Sequence, residues 1–211
     1  MTIAERLARV RAGIPPGVTL VAVSKGQPAA AVRAAHEAGQ RHFGENYVQE
    51  WRAKAEALAD LADLSWHFVG SLQANKVKYL VGRVALVHTV DREDLAAEIS
   101  RRSVRAAAVT RVLLEVNVAG EASKAGCRPE EAARLAEAVR RLPGVALEGL
   151  MCIPPAEGDP RPHFAALRGL RDRLGLAELS MGMSGDYPVA IEEGATLVRV
   201  GTAIFGERPP R

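Results

Sequence analysis

The sequence predicts a (β/α)8 barrel preceded by one extra helix. Three observations predict it. Eight short runs, apolar on both faces in the manner of parallel strands covered by helices, recur along the 211 residues. Stretches rich in Ala, Leu, Glu and Arg with helical spacing lie between them. No low-complexity segment or long Pro/Gly/Ser linker divides the chain, so one domain over residues 1–211 is expected. A doubly wound open sheet shares this alternation, but no GxGxxG follows the first strand, which weighs against a Rossmann fold.

The elements follow in order. An amphipathic, charged helix is expected over 2–12, without the apolar core of a secretory signal. "TLVAVSK" (19–25) is the first strand, followed by a helix over 29–39 that Gly39 closes. "RHFGEN" (41–46) leads into a helical pattern over 46–61, and "SWHFVGS" (65–71) is the third strand. "ALVHTVD" (85–91) precedes a helix over 92–103, and "RVLLEVNV" (111–118) precedes one over 128–142 that ends at Pro143-Gly144. The last strands are "VALEGLMCI" (145–153), "ELSMGMS" (178–184) and "TLVRVGTAIFG" (196–206), with a short helix expected between Asp186 and Gly194.

Composition narrows the function. The net charge of +3 and the lack of any Lys/Arg block argue against nucleic acid, and Trp51 and Trp66 make no stacking platform. No window is long enough to span a bilayer, so a cytoplasmic protein is expected. Cys127 and Cys152 lie outside any CxxC and are read as plain thiols. The five histidines lack carboxylates at metal-ligand spacing. Of these, His67 and His88 lie within strands and are read as core residues or as supports behind a site.

Barrel active sites form at the C-terminal strand ends. Here those ends are Lys25, Glu45-Asn46, Gly70-Ser71, Thr89 and Asp91, Asn117, Met151, Ser184, and Arg199 with Gly201-Thr202. Lys25 is one of only five lysines and is in phase with Val21 and Val23. Partial burial disfavours a charged amine and leaves free base to attack a carbonyl, which makes Lys25 a Schiff-base candidate. The alternative is a lysine that reaches solvent or pairs with Glu45 or Asp91. Ser184 ahead of a helix, and the glycine-lined backbone and hydroxyl of Gly201 and Thr202, compose an anion site where this fold places phosphates. Alternatively, Ser184 is an N-cap and the glycines only turn the chain. An amine beside a phosphate cradle is what pyridoxal 5′-phosphate (PLP) requires.

The segments "LVAVSK", "FGENYVQE", "WHFVGSLQANK", "VHTVD", "EVNVAGEASKAG", "GLMCIPP", "LSMGMSGDY" and "LVRVGTAIFGER" make the chain resemble the YggS/PROSC family of pyridoxal phosphate homeostasis proteins. The resemblance runs from about residue 18 to residue 208. It departs at Gly26-Gln27, where Thr-Lys is common, and at Ala74, where Ser is common. It implies a fold like the barrel domain of alanine racemase, with PLP held as a Schiff base on Lys25. It further implies phosphate contacts from Ser184, Gly201 and Thr202, Arg199 at the pyridine nitrogen and Asn46 beside the ring. The implied role is intracellular PLP homeostasis, buffering or carrying the cofactor with little or no catalysis, as a monomer. PLP-dependent apoenzymes would be transient acceptors.

Two enzymatic alternatives stand beside it. A PLP-dependent amino-acid racemase needs acid/base groups on both faces of the substrate. Alanine racemase draws one of them from a second domain, whereas this sequence ends at Arg211 and offers Tyr47, Tyr79 and Tyr187, none clearly opposite Lys25. A cofactor-free aldolase would use Lys25 with Glu45 or Asp91. Lys124, in the loop 121–126, is a candidate second, transient amine for cofactor release.

Overall fold

The structure, a computed structural model, describes residues 1–121 and 124–207. Its elements in chain order are α1 (Ile3–Ala12), β1 (Thr19–Val23), α2 (Ala29–Glu37), β2 (His42–Glu45), α3 (Val48–Ala57), β3 (Ser65–Phe68), a 3-10 turn (Ala74–Lys76), α4 (Val77–Leu80), β4 (Leu86–Val90), α5 (Glu93–Arg105), β5 (Thr110–Glu115), α6 (Ala132–Arg140), β6 (Val145–Met151), α7 (Arg161–Arg173), β7 (Glu178–Ser180), α8 (Tyr187–Glu192), β8 (Leu197–Val200) and α9 (Thr202–Phe205). The strands are parallel and close in sequence order, β8 pairing back onto β1 from Thr19↔Leu197 to Ala22↔Val200. The barrel and its additional N-terminal helix are both present, and closure of β8 on β1 removes the open sheet.

The largest departure from the sequence reading lies in 196–206. Pairing with β1 stops at Val200, and the N–H groups of Ile204 and Phe205 both turn back to the Gly201 carbonyl at 2.9 Å. The end of the apolar run is therefore the helical turn α9. Arg6 of α1 holds that turn from outside, donating through Nε to the Ile204 carbonyl at 2.6 Å. Thr2 and Glu5 form a capping box that starts α1. β7 likewise ends early, because the chain turns at Gly182 with φ +88°.

Two apolar layers follow from strand alternation. Val21, Leu86, Leu113, Met151 and Leu197 fill the lumen. A larger shell, with Phe43, Phe68, Ile99 and Phe164, packs the outer strand faces against the helices. In α5, Leu95, Ala96 and Ile99 face inward while Glu98 pairs outward with Arg101 and Arg102.

The β2 and β3 tips meet closely. A Cβ on Gly70 would lie 2.2 Å from the Asn46 carbonyl oxygen and 2.6 Å from its Cα, both rigid backbone atoms. Gly70→Ala is expected to cost about 2 kcal/mol or more in urea unfolding. Gly169→Ala in α7, with only the end of the Arg173 side chain nearby, should be neutral or stabilising. Equal effects from the two changes would show that the Gly70 contact does not constrain the rim.

Candidate functional site

A cavity of about 270 Å³ opens at the C-terminal mouth of the barrel, and Lys25, Asn46, Ser184, Arg199, Gly201 and Thr202 all lie on its wall. Val23, Val69, Ile153 and Phe205 add apolar surface, with Gln27, Met183, Gly185 and Gly206 completing the wall. Val23 could be foreseen from its phase with Lys25, and Ile153 and Met183 from their places near the ends of apolar runs. Gln27 carried no such signal.

Helix α3 pins the backbone on both sides of Lys25. Lys54 Nζ donates to the Ser24 carbonyl at 2.6 Å, and Glu50 Oε2 accepts from the Gly26 N–H at 2.8 Å. Lys54 is anchored in turn by Glu45, whose Oε1 also accepts from the Ser24 hydroxyl, both at 2.6 Å. Glu45 is fully buried, and burial pushes its carboxyl up from the ordinary range against the pull of Lys54. The sequence offers Glu45 as a partner or proton carrier for Lys25; in the fold it is engaged with Lys54 and Ser24 and is not on the cavity wall. The sequence reading also missed the role of Lys54, which sits in an ordinary helical pattern.

Arg199 lies on β8, 5% exposed. Its Nη1 donates to Ser180 Oγ at 2.7 Å and its Nη2 to the Cys152 carbonyl at 2.9 Å. Burial lowers its pKa from the ordinary value, opposed by the charges of Glu115 and Asp186. Burial and then the neighbouring Asp91 push the Glu115 carboxyl up to about 7, while Arg199 pulls it down. Among the described residues no carboxylate forms an ion pair with Arg199, so the guanidinium is held by neutral acceptors. Such a buried cation suits an anionic or electron-rich ligand.

The N-cap alternative for Ser184 does not hold for α8, whose N-cap is Asp186. Its Oγ accepts instead from the Ala203 N–H at 3.3 Å, tying the loop after β7 to the first turn of α9. Ser184 and Gly185 from the segment after β7 and Gly201 and Thr202 from the segment after β8 all line the cavity. Asn46 Oδ1 is buried and has no hydrogen-bond partner among the described residues.

The remaining strand-end residues serve elsewhere. Thr89 Oγ1 donates to the Gly70 carbonyl at 2.6 Å, and Asn117 Nδ2 donates to the Glu121 carbonyl at 2.8 Å. Asp91 pairs with Arg92 beside a separate groove, Gly70 and Ser71 line a second groove, and Met151 fills the lumen. Lys124 Nζ donates to Glu121 Oε1 at 2.7 Å and to the Pro154 carbonyl at 2.8 Å, one residue beyond Ile153 on the cavity wall. Residues 122 and 123 of its loop lie outside the described residues.

Removing one partner of the buried pair leaves the other charge uncompensated. Lys54→Met is expected to destabilise by about 3 kcal/mol or more in chemical unfolding, and the double change with Glu45→Gln by clearly less. A single change as mild as the double would contradict the clamp.

Residues 1–209 match the family described as alanine racemase, N-terminal domain. The pyridoxal phosphate homeostasis protein of Aquifex aeolicus is 48% identical over 227 residues, covering 99% of each chain. PipY of Synechococcus elongatus PCC7942, solved with PLP bound, superposes with a TM-score of 0.91 at 42% identity, over 97% of this chain and 100% of that one. An alanine racemase of Clostridium difficile 630 has a TM-score of 0.80 at 13% identity, over 99% of this chain and 57% of its own, a likeness of fold alone.

Proposed function

The chain belongs to the pyridoxal phosphate homeostasis proteins of the alanine racemase N-terminal-domain family, and on that premise we propose that it binds PLP and holds it in store for other proteins. The observation that carries this reading is the convergence of a lysine, a buried arginine, two hydroxyls and glycine backbone on one cavity. The relatives carry the name of homeostasis proteins, and PipY was solved with PLP bound.

When bound, PLP supplies an aldehyde that condenses reversibly with amines and a ring that draws in electrons. Lys25 Nζ would hold the aldehyde carbon, its place set by the Lys54 and Glu50 contacts on either side. Ser184, Gly201 and Thr202 would receive the phosphate, and Asn46 would stand beside the ring. Arg199 would donate a hydrogen bond to the pyridine nitrogen yet keep its proton, because a guanidinium does not deprotonate in proteins. That favours keeping the cofactor over activating it for transamination or decarboxylation.

The wall also supports storage over turnover. Among the described residues on it, the ionisable side chains are Lys25 and Arg199, and no tyrosine takes part. Tyr79 lies under Arg52 and Lys78, and the Tyr187 hydroxyl sits close to Gly13 at the end of α1. Tyr47 is half exposed beside the second groove. A racemase would need a second acid/base opposite Lys25. The same reading has the chain act as one cofactor-binding unit, a cytoplasmic monomer with PLP-dependent apoenzymes as transient acceptors. No helix among the described residues is long and apolar enough to cross a membrane.

Titration of the wild type with PLP is expected to give a saturable visible absorbance band, which Lys25→Ala abolishes. A wild type that develops no band overturns the proposal, as does a Lys25→Ala variant that develops the same one. Lys124→Ala should slow transfer of PLP to an acceptor apoenzyme in a stopped-flow assay while leaving the binding titration unchanged. A weaker titration with normal transfer would assign Lys124 to binding instead.

A further inference from the structure

A line of polar side chains runs through the lumen from the cavity towards the opposite mouth. From Arg199 Nη1 it passes to Ser180 Oγ at 2.7 Å, and on to His88 Nδ1 at 2.8 Å. His88 Nε2 meets His67 Nδ1 at 2.9 Å, and His67 Nε2 meets His42 Nδ1 at 3.0 Å. The residues come from β8, β7, β4, β3 and β2, so the Ser180 to His88 link crosses the lumen between strands that are not neighbours. His88 and Ser180 are fully buried, His67 is 4% exposed, and His42 at the start of β2 is half-buried.

Donor counting fixes the direction of the line. A guanidinium only donates, so Ser180 Oγ accepts from Arg199. The Ser180 hydroxyl proton then has His88 Nδ1 as its acceptor. A neutral imidazole that accepts at Nδ1 donates at Nε2, and the same holds at His67. Each link therefore donates away from the guanidinium, and each oxygen or nitrogen lone pair points towards the positive charge. The reverse direction would make Ser180 accept twice and leave its proton with no acceptor among these groups. Burial keeps the imidazoles neutral, with His67 lowered to about 3 and His88 well below its ordinary value.

We propose that Ser180, His88, His67 and His42 form one directed hydrogen-bond chain that positions the Arg199 guanidinium at the cavity. Ser180 and His88 are positioning residues. Ser180 holds one edge of the guanidinium and His88 orients the Ser180 hydroxyl, the Cys152 carbonyl holds another edge, and the remaining N–H groups are left for the ligand. The part of this inference that concerns the cofactor ring rests on the PLP reading; the direction of the chain does not.

Long-range ¹⁵N NMR of the wild-type protein reads that direction at neutral pH. His67 and His88 are expected as neutral Nε2–H tautomers, with Nδ1 in the acceptor shift range. A protonated Nδ1 on His88, or an imidazolium there, would overturn the chain. PLP titrations of Ser180→Ala, His88→Leu and His88→Asn read its effect on the site. Leaving a buried donor without its partner should weaken PLP roughly tenfold and move the visible band in the first two. His88→Asn, which keeps an acceptor for the Ser180 hydroxyl, should recover most of both. Folded Ser180→Ala and His88→Leu proteins with wild-type affinity and spectrum would refute positioning. A wild type that takes up no PLP would sink the cofactor reading, while the nitrogen shifts would still uphold or overturn the chain.

Discussion

A positive charge inside a barrel lumen is the constraint on which the site depends. Arg199 is almost wholly buried, and a lone buried ion is strongly unfavourable unless donors and acceptors surround it. The barrel meets this need with a hydroxyl from β7, the strand beside β8, and a carbonyl just past the end of β6, the next strand round. Neutral partners satisfy the N–H groups without cancelling the charge. The cavity is therefore left with a buried cation on its wall, and burial raises the pKa of the nearby Glu115 carboxyl, which works against a full opposing charge.

The lysine is held by a different device. Parallel strands end in loops, and a loop alone would leave Lys25 mobile. Instead α3 reaches across with Lys54 and Glu50 to fix the backbone on either side of it, while Glu45 keeps Lys54 in place. The buried Lys54–Glu45 pair is costly to form and more costly to break, and its benefit is placement of the strand tip. The two halves of the site thus rest on separate supports, one through the lumen and one through the helical shell. A mixed apolar and polar wall between them is suited to a flat, charged ring.

Much of this was legible in the sequence. Runs apolar on both faces mark parallel strands, and Thr19, Ser65, Val145 and Glu178 begin strands where the runs begin. Strand ends were overdrawn, because an apolar run continues past the last ladder bond when it then packs as a turn, as Ala203 to Phe205 do in α9. Lys25 stands out as a lysine at the end of an apolar run, and Ser184, Arg199, Gly201 and Thr202 as polar groups at strand ends. What was not legible depends on partners distant in sequence. Lys54 is indistinguishable from a solvated helical lysine until Ser24 and Glu45 are beside it. His67 and His88 were seen as core or supporting residues, but their chain to Arg199 needs Ser180, 92 positions from His88 and across the lumen. Periodicity reports which face a residue takes, and says nothing of what it meets there.

The central claim is that Lys25 is the residue to which PLP is tied. Its most direct measurement is borohydride reduction of the protein equilibrated with PLP, followed by peptide mass mapping. The expected result is one stoichiometric pyridoxyl label on the peptide carrying Lys25. A label found on Lys124 or scattered over other lysines, with Lys25 unmodified, would contradict it.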